Sequence, residues 1–259
     1  MPRPGAAKAY CPHVSTVKLD LEYDGLGFRG WAKQPGLRTV QGEIEAGLAT
    51  VLREPVELTV AGRTDTGVHA RGQVASFETA VEVPEALAWR LNGLGPSDVA
   101  VNAATVVADG FDARRDAKSR TYRYRILARG ASSPFEQGRA LWWPHRIDRD
   151  ALDACAKALL GTHDFTAFTP TQTDHVHFNR KILAANWQSE GDILCFHITA
   201  DAFMRNMVRV LVGTMLEASS GRRTRKSFDE LLKGAPRTAA GDTAPPQGLY
   251  LESVSYDLS

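Results

Sequence analysis

Val17, Leu19, Leu21 and Tyr23 alternate with Lys18, Asp20, Glu22 and Asp24. A strict period of two gives an extended segment one apolar and one polar face, so this stretch predicts a half-buried strand of an antiparallel sheet. The period then changes. Val40, Ile44, Leu48, Val51 and Leu52 fall on one face of a helix that Thr39 can cap and that stops before Pro55. Val56–Val60 and Gln73–Thr79 read as strands on either side of a polar, glycine-containing loop. Pro84 opens a short helix ending near Gly93, and Val99–Val107 reads as a further strand. From Thr121 to Leu127, Tyr122, Tyr124 and Ile126 alternate with Arg123 and Arg125. A helix follows over about Asp148–Leu160, then a hairpin of Lys181–Gln188 and Ile193–Thr199 around Glu190-Gly191-Asp192. An apolar helix is predicted over about Ala202–Ala218, then a basic loop, a short helix near Phe228–Leu232 and a last strand around Leu249–Tyr256. Residues 161–180 and 234–247 read as loops.

Strands and helices interleave in both halves, and the alternation favours antiparallel pairing. The fold class is therefore α+β, with two halves (residues 15–110 and 111–259) sharing one central, mainly antiparallel sheet. Residues 1–14 are expected to be a flexible tail. A chain of 259 residues suits one large domain or two small ones. Its 43% hydrophobic and 24% charged content is ordinary for a globular protein and excludes collagen-like or wholly disordered chains.

Cys11, Cys155 and Cys195 are too few and too far apart for a disulfide framework, and no C-x-x-C pair suggests zinc. No run approaches the 18 or so apolar residues that a membrane helix needs, and Met1–His13 lacks the apolar core of a signal peptide. The expected location is the cytoplasm. Net charge is +1, but it is segregated: residues 111–149 carry ten Lys/Arg against four Asp/Glu, and residues 203–226 six against one. Arginine outnumbers lysine 23 to 8. A GC-rich genome explains that, and so does selection of guanidinium forks for phosphate.

Several motifs compete for a chemical reading. Gly25-Leu26-Gly27-Phe28-Arg29-Gly30 follows a strand, as a dinucleotide loop would, but Pro35 and Gly36 interrupt before any helix begins; a tight turn is expected. Asp65-Thr66-Gly67 has the aspartic-protease triplet, yet it occurs once, and Arg63 nearby would keep the carboxylate ionised rather than proton-sharing. His163-Asp164, His175-x-His177 and Cys11-x-His13 lack a third ligand at firm spacing, so no metal is expected. Ala61–Gly72 is the densest polar segment between strands, where Asp65 either caps its own loop or does chemistry. Arg209 lies in an apolar helical stretch, with Arg205 one turn earlier on the same face; each either reaches solvent or needs an anionic partner, for which Asp65 is suited. Arg114, Arg115, Lys118, Arg120 and Arg123, interleaved with tyrosines, suit RNA phosphates and a stacked base, or else form a solvated strand face.

In combination these residues resemble a known family. Tyr23-Asp24-Gly25, Phe28-x-Gly30-Trp31, Gln34, Thr39-Val40-Gln41-Gly42 and Ala61–Gly72 resemble tRNA pseudouridine synthase A, in that order. So do Phe111-Asp112-Ala113-Arg114, Lys118–Tyr124, Phe203–Arg209 and Ala244–Leu251, so that the resemblance spans residues 15–257. It implies an isomerase that turns uridine into pseudouridine at positions 38, 39 and 40 of the tRNA anticodon stem-loop. It also implies RNA-recognition or ferredoxin-like halves with a cleft between them, a homodimer, and no metal or organic cofactor. By motif position Asp65 would be the nucleophile, Tyr122 the residue packed on the target base and Arg209 the partner of the carboxylate. Arg63 would hold the flipped nucleotide and Leu249 would line the pocket. Arg114, Arg115, Lys118 and the cluster Arg222, Arg223, Arg225 and Lys226 would meet RNA phosphates. Ala32-Lys33 and the stretch 169–180 depart from the family pattern.

Overall fold

The computed structural model describes residues 14–173 and 176–257. Cys11, His13, Asp174, His175 and all but the last residue of the expected tail lie outside the described residues. In chain order the strands are β1 (Ser15–Tyr23), β2 (Thr59–Val60), β3 (His69–Thr79), β4 (Val99–Val107), β5 (Ser119–Leu127), β6 (Leu141–Trp142), β7 (Gly161–Asp164), β8 (Asn179–Glu190), β9 (Ile193–Ala200) and β10 (Leu249–Ser255). The helices are α1 (Val40–Leu52), α2 (Leu87–Leu94), α3 (Arg149–Ala158), α4 (Met207–Ser219) and α5 (Arg225–Leu231). No helix among the described residues is long and apolar enough to cross a membrane.

Among the described residues all ten strands belong to one sheet, ordered β4-β1-β3-β10-β5-β9-β8-β7, with β2 on β3 and β6 on β5. Pairing is antiparallel except at β3–β10 and β5–β6. The fold is thus α+β on a mostly antiparallel sheet. Alternation in β1 buries Val17, Leu19, Leu21 and Tyr23, and in β5 it buries Tyr122, Tyr124 and Ile126. These side chains join one apolar core with Ile44 and Leu48 of α1, Leu152 of α3 and Val210, Leu211 and Met215 of α4.

Boundaries move where side chains intervene. β2 is two residues long rather than five, because the buried Glu45 of α1 accepts the Leu58 N–H at 3.1 Å and takes that residue out of the ladder. The same carboxylate takes Lys33 Nζ at 3.1 Å. β3 begins four residues early because His69 and Ala70 pair with Tyr250 and Leu251 of β10. The expected loop 161–180 contains β7 and a 3-10 turn at Thr166–Phe168. β7 is an edge strand of polar sequence, and an edge needs no apolar face to be recruited. The expected loop 234–247 likewise holds short 3-10 turns. Finally, α4 starts at Met207, since Asn206 adopts a left-handed conformation (φ 62°) that no helix continues through. Arg205 therefore precedes the helix instead of lying one turn below Arg209.

Candidate active site

Asp65 lies in the connection between β2 and β3. Asp65 O accepts the Val68 N–H at 3.1 Å, and Gly67 takes the positive φ (76°) that closes the turn. Beneath the turn, Tyr23 OH meets Thr64 Oγ1 at 2.7 Å, while Gln73 Nε2 donates to Tyr23 OH at 3.2 Å and to the Gly62 carbonyl at 2.8 Å. Gln73 is fully buried, so this network is shielded from water and firm.

The G-x-G-x-x-G segment backs the same turn. A Cβ on Gly25 would collide with the Val68 carbonyl, and one on Gly30 (φ 91°) would lie 2.8 Å from Thr64 O. His69 Nδ1 accepts the Gly25 N–H at 3.1 Å and its other ring nitrogen meets Gly138 O at 3.0 Å. Burial lowers the His69 pKa, so we read its 3.2 Å approach to Asp24 as a contact of a neutral ring rather than an ion pair. The glycines thus let two backbones touch.

The Asp65 side chain makes no bond to its own loop. Its partner is Arg209 of α4, 144 residues away in sequence, with Nη1 at 3.5 Å from Oδ2. That is long for a hydrogen bond but close for opposite charges. The carboxyl is 31% exposed. Burial raises its pKa above the usual carboxylate range, against the pull of Arg209 and, more weakly, of Arg205. Arg209 is itself held from two sides: Nε donates to Ala244 O at 2.7 Å and Nη1 to Asn206 Oδ1 at 3.0 Å.

Tyr122 is buried, with its ring edge-on to Phe203 at 4.9 Å. Burial, then Tyr23 and Asp65, push its phenol pKa well above the ordinary value, so it is a neutral hydroxyl. Leu249 is buried at the start of β10 and pairs with Tyr124, whose hydroxyl donates to Pro245 O at 2.8 Å. Arg63 is exposed, with no ion pair among the described residues. Cavities of about 290 and 600 Å³ lie away from Asp65. The larger is lined by Arg123, Arg125 and Tyr250, which the strand alternation puts on the sheet face opposite Tyr122.

Among the basic residues, Arg114, Arg222 and Lys226 are exposed, and Lys118 is exposed with Asp257 at 3.6 Å. Arg115 pairs with Asp116 and Arg225 with Asp229, both on the surface. Three expected phosphate ligands face inward instead. Arg223 is 12% exposed and bonded to Glu217 at 2.9 Å, because the turn at Gly221 folds it back on the end of α4. Arg123 is equally buried and pairs with Glu252 at 2.8 Å. Arg120 donates five hydrogen bonds to four backbone carbonyls, those of Ala61, Arg114, Ala117 and Asp201.

The described residues gather three metal-capable groups in one place, Glu190, Cys195 and His197. There Arg123 lies 3.7 Å from Glu190, and burial raises the Cys195 pKa to about 11, both unfavourable to a cation. His163 and Asp164 serve their own turn, bonding Leu160 O and Thr166 N.

A family model described as tRNA pseudouridine synthase matches residues 155–257. The tRNA pseudouridine synthase A of Bacillus pumilus is 40% identical over 244 residues, covering 93% of this chain and 99% of that protein. The chain belongs to the tRNA pseudouridine synthase A family. Its relatives of the same name in Bacillus subtilis (39% identical, 93% of this chain and 99% of that protein) and Myxococcus xanthus (43%, 93% and 91%) match over nearly the same length. In this tRNA pseudouridine synthase A family member, three supports of the site were hidden from sequence reasoning: Gln73 and Arg120, which bond the Gly62 and Ala61 carbonyls before the Asp65 turn, and Asn206, which bonds Arg209. Each is an ordinary polar residue whose meaning comes from what folds against it. The one available hint was Asn206, since asparagine is the non-glycine residue that best tolerates a left-handed backbone.

Proposed function

We propose that this protein isomerises uridine to pseudouridine in tRNA, at positions 38, 39 and 40 of the anticodon stem-loop, with Asp65 as its nucleophile. The observation that carries this reading is the pairing of Asp65 with Arg209 at 3.5 Å beside the buried Tyr122, in a chain of this family. The reaction breaks the N1–C1′ bond, turns the uracil and joins C5 to C1′, releasing the C5 proton. Asp65 starts it by adding to uracil C6, by capturing C1′, or by removing a proton on the way to a glycal; each route needs one ionised, positioned carboxylate. Arg209 favours that charge and fixes its direction. Tyr122 packs on the base, Leu249 walls the pocket, and the exposed Arg63 holds the flipped nucleotide.

Extruding a stem nucleotide costs a few kcal/mol. Phosphate contacts from Arg114, Arg115, Lys118, Arg222, Arg225 and Lys226 offset it. We further propose that the enzyme works in the cytoplasm as a homodimer of two-halved chains (15–110 and 111–259), without metal or organic cofactor. The test uses a tRNA anticodon stem-loop carrying tritium at uridine C5. Wild-type protein releases the label to water, and it leaves the mass of an unlabelled stem-loop unchanged, while Asp65→Asn binds the RNA and releases none. Binding without release by the wild type would make this a non-catalytic RNA-binding module.

A further inference from the structure

Asn206 is one of two non-glycine residues with positive φ among the described residues, the other being Arg53. It occupies the N-cap of α4, yet its side chain bonds no backbone N–H of that helix. Asparagine is among the best helix caps, so a side chain withheld from that role needs another explanation. Its Oδ1 accepts from Arg209 Nη1 at 3.0 Å, closer than the 3.5 Å between the same nitrogen and Asp65 Oδ2. The Ala244 carbonyl takes Arg209 Nε at 2.7 Å. Two fixed acceptors therefore aim the guanidinium, and the remaining reach is left to the carboxylate. Backbone strain of this kind persists where surrounding contacts enforce it, commonly at functional sites.

We propose that Asn206 is a positioning residue for pseudouridine formation: its left-handed backbone and neutral amide oxygen hold Arg209 against Asp65. This rests on Asp65 being the reactive carboxylate. The residue type fits the task. Glycine would accept the backbone but offer no acceptor, alanine would be strained, and aspartate would compete with Asp65 for the guanidinium.

The experiment measures single-turnover tritium release and its pH profile, with tRNA affinity and melting temperature alongside. Asn206→Gly relieves strain, so it folds and melts no lower than wild type. Its rate should fall roughly 10- to 100-fold, the cost of a small misplacement of a catalytic group, with tRNA affinity unchanged. The acid limb of its profile should move to higher pH, because a loosened Arg209 opposes the burial of Asp65 less. The other ionisable groups facing this pair are Arg205 and Tyr122 at Asp65, and Tyr124 at Arg209. None is altered. Asn206→Asp should move the limb further, since a new carboxylate captures Arg209 and repels the charge on Asp65. An acid limb that stays in place in Asn206→Gly overturns the proposal, whatever the rate. Full activity in Asp65→Asn would instead overturn the reading of Asp65 itself.

Discussion

Asp65 pairs function against stability at a single side chain. Burial raises its folded pKa, so the native protein holds this proton more readily than the unfolded chain does. The stabilisation linked to the proton is complete below the unfolded pKa and is lost as pH rises through the folded one. Asp65→Asn, permanently uncharged, should therefore melt like wild type in acid and above it at neutral pH, while losing activity. Thermal melts across pH check this; a neutral-pH melting point at or below wild type would contradict it. Arg209→Lys keeps a charge but cannot serve Ala244, Asn206 and Asp65 together, as the planar fork does. Its single-turnover rate should fall by about 10²-fold, the scale of losing one preorganised contact. At this scale the sequence was informative about residue types: a carboxylate in a polar loop and an arginine in an apolar stretch each needed a partner. Their meeting was legible only through the family resemblance, which implied Arg209 as the partner of the carboxylate; nothing local encodes a contact across 144 positions.

The elements obey local rules until a neighbour overrides them. Thr39 caps α1 as its sequence suggests, accepting the Gly42 N–H at 3.3 Å. Thr39→Ala should lower stability by about 1 kcal/mol in denaturant titrations, with little change in rate. Gly213 tests the opposite case. Alanine is favoured over glycine inside a helix by about 1 kcal/mol. Here, however, a Cβ on Gly213 would run into the backbone carbonyl of Asp242, in the strap that carries Ala244 to Arg209. Overpacking of this kind costs about 1–3 kcal/mol, so Gly213→Ala should be net destabilising and should slow tritium release; a more stable, fully active variant would refute the argument. The same contrast explains the element boundaries. Alternation marked β1 and β5 well because packing and pattern agree there. It missed β7, which pairs at an edge, and misjudged β2 and the start of α4, where Glu45 and Asn206 decide.

Across the whole molecule, the last strand sets the architecture. β10 lies between β3 and β5, pairing Leu251 with Ala70 on one side and with Tyr122 on the other. His69 and Tyr250 stack at 4.5 Å across the parallel junction. This insertion brings the turn just before β3 up to the tyrosine of β5. Charge acts at this scale as well. The exposed Arg114, Lys118, Arg222 and Lys226 are candidates for tRNA phosphates, whereas the inward Arg120, Arg123 and Arg223 are not. Replacing any one of the first group by alanine should weaken tRNA binding and reduce the slope of log affinity on log salt by about one; an unchanged slope would remove that residue from the interface.

The sequence alone determined the fold class, most elements, the family resemblance and the residue types the chemistry needs, because hydrophobic period, turn residues and motifs are local properties. Only the tertiary structure decided that Arg205 precedes the helix while Arg209 lies 3.5 Å from Asp65, which cations stay exposed, and what holds the pair in place. Those outcomes depend on strand order and on buried polar partners drawn from distant parts of the chain, and both follow from the seating of β10 between β3 and β5.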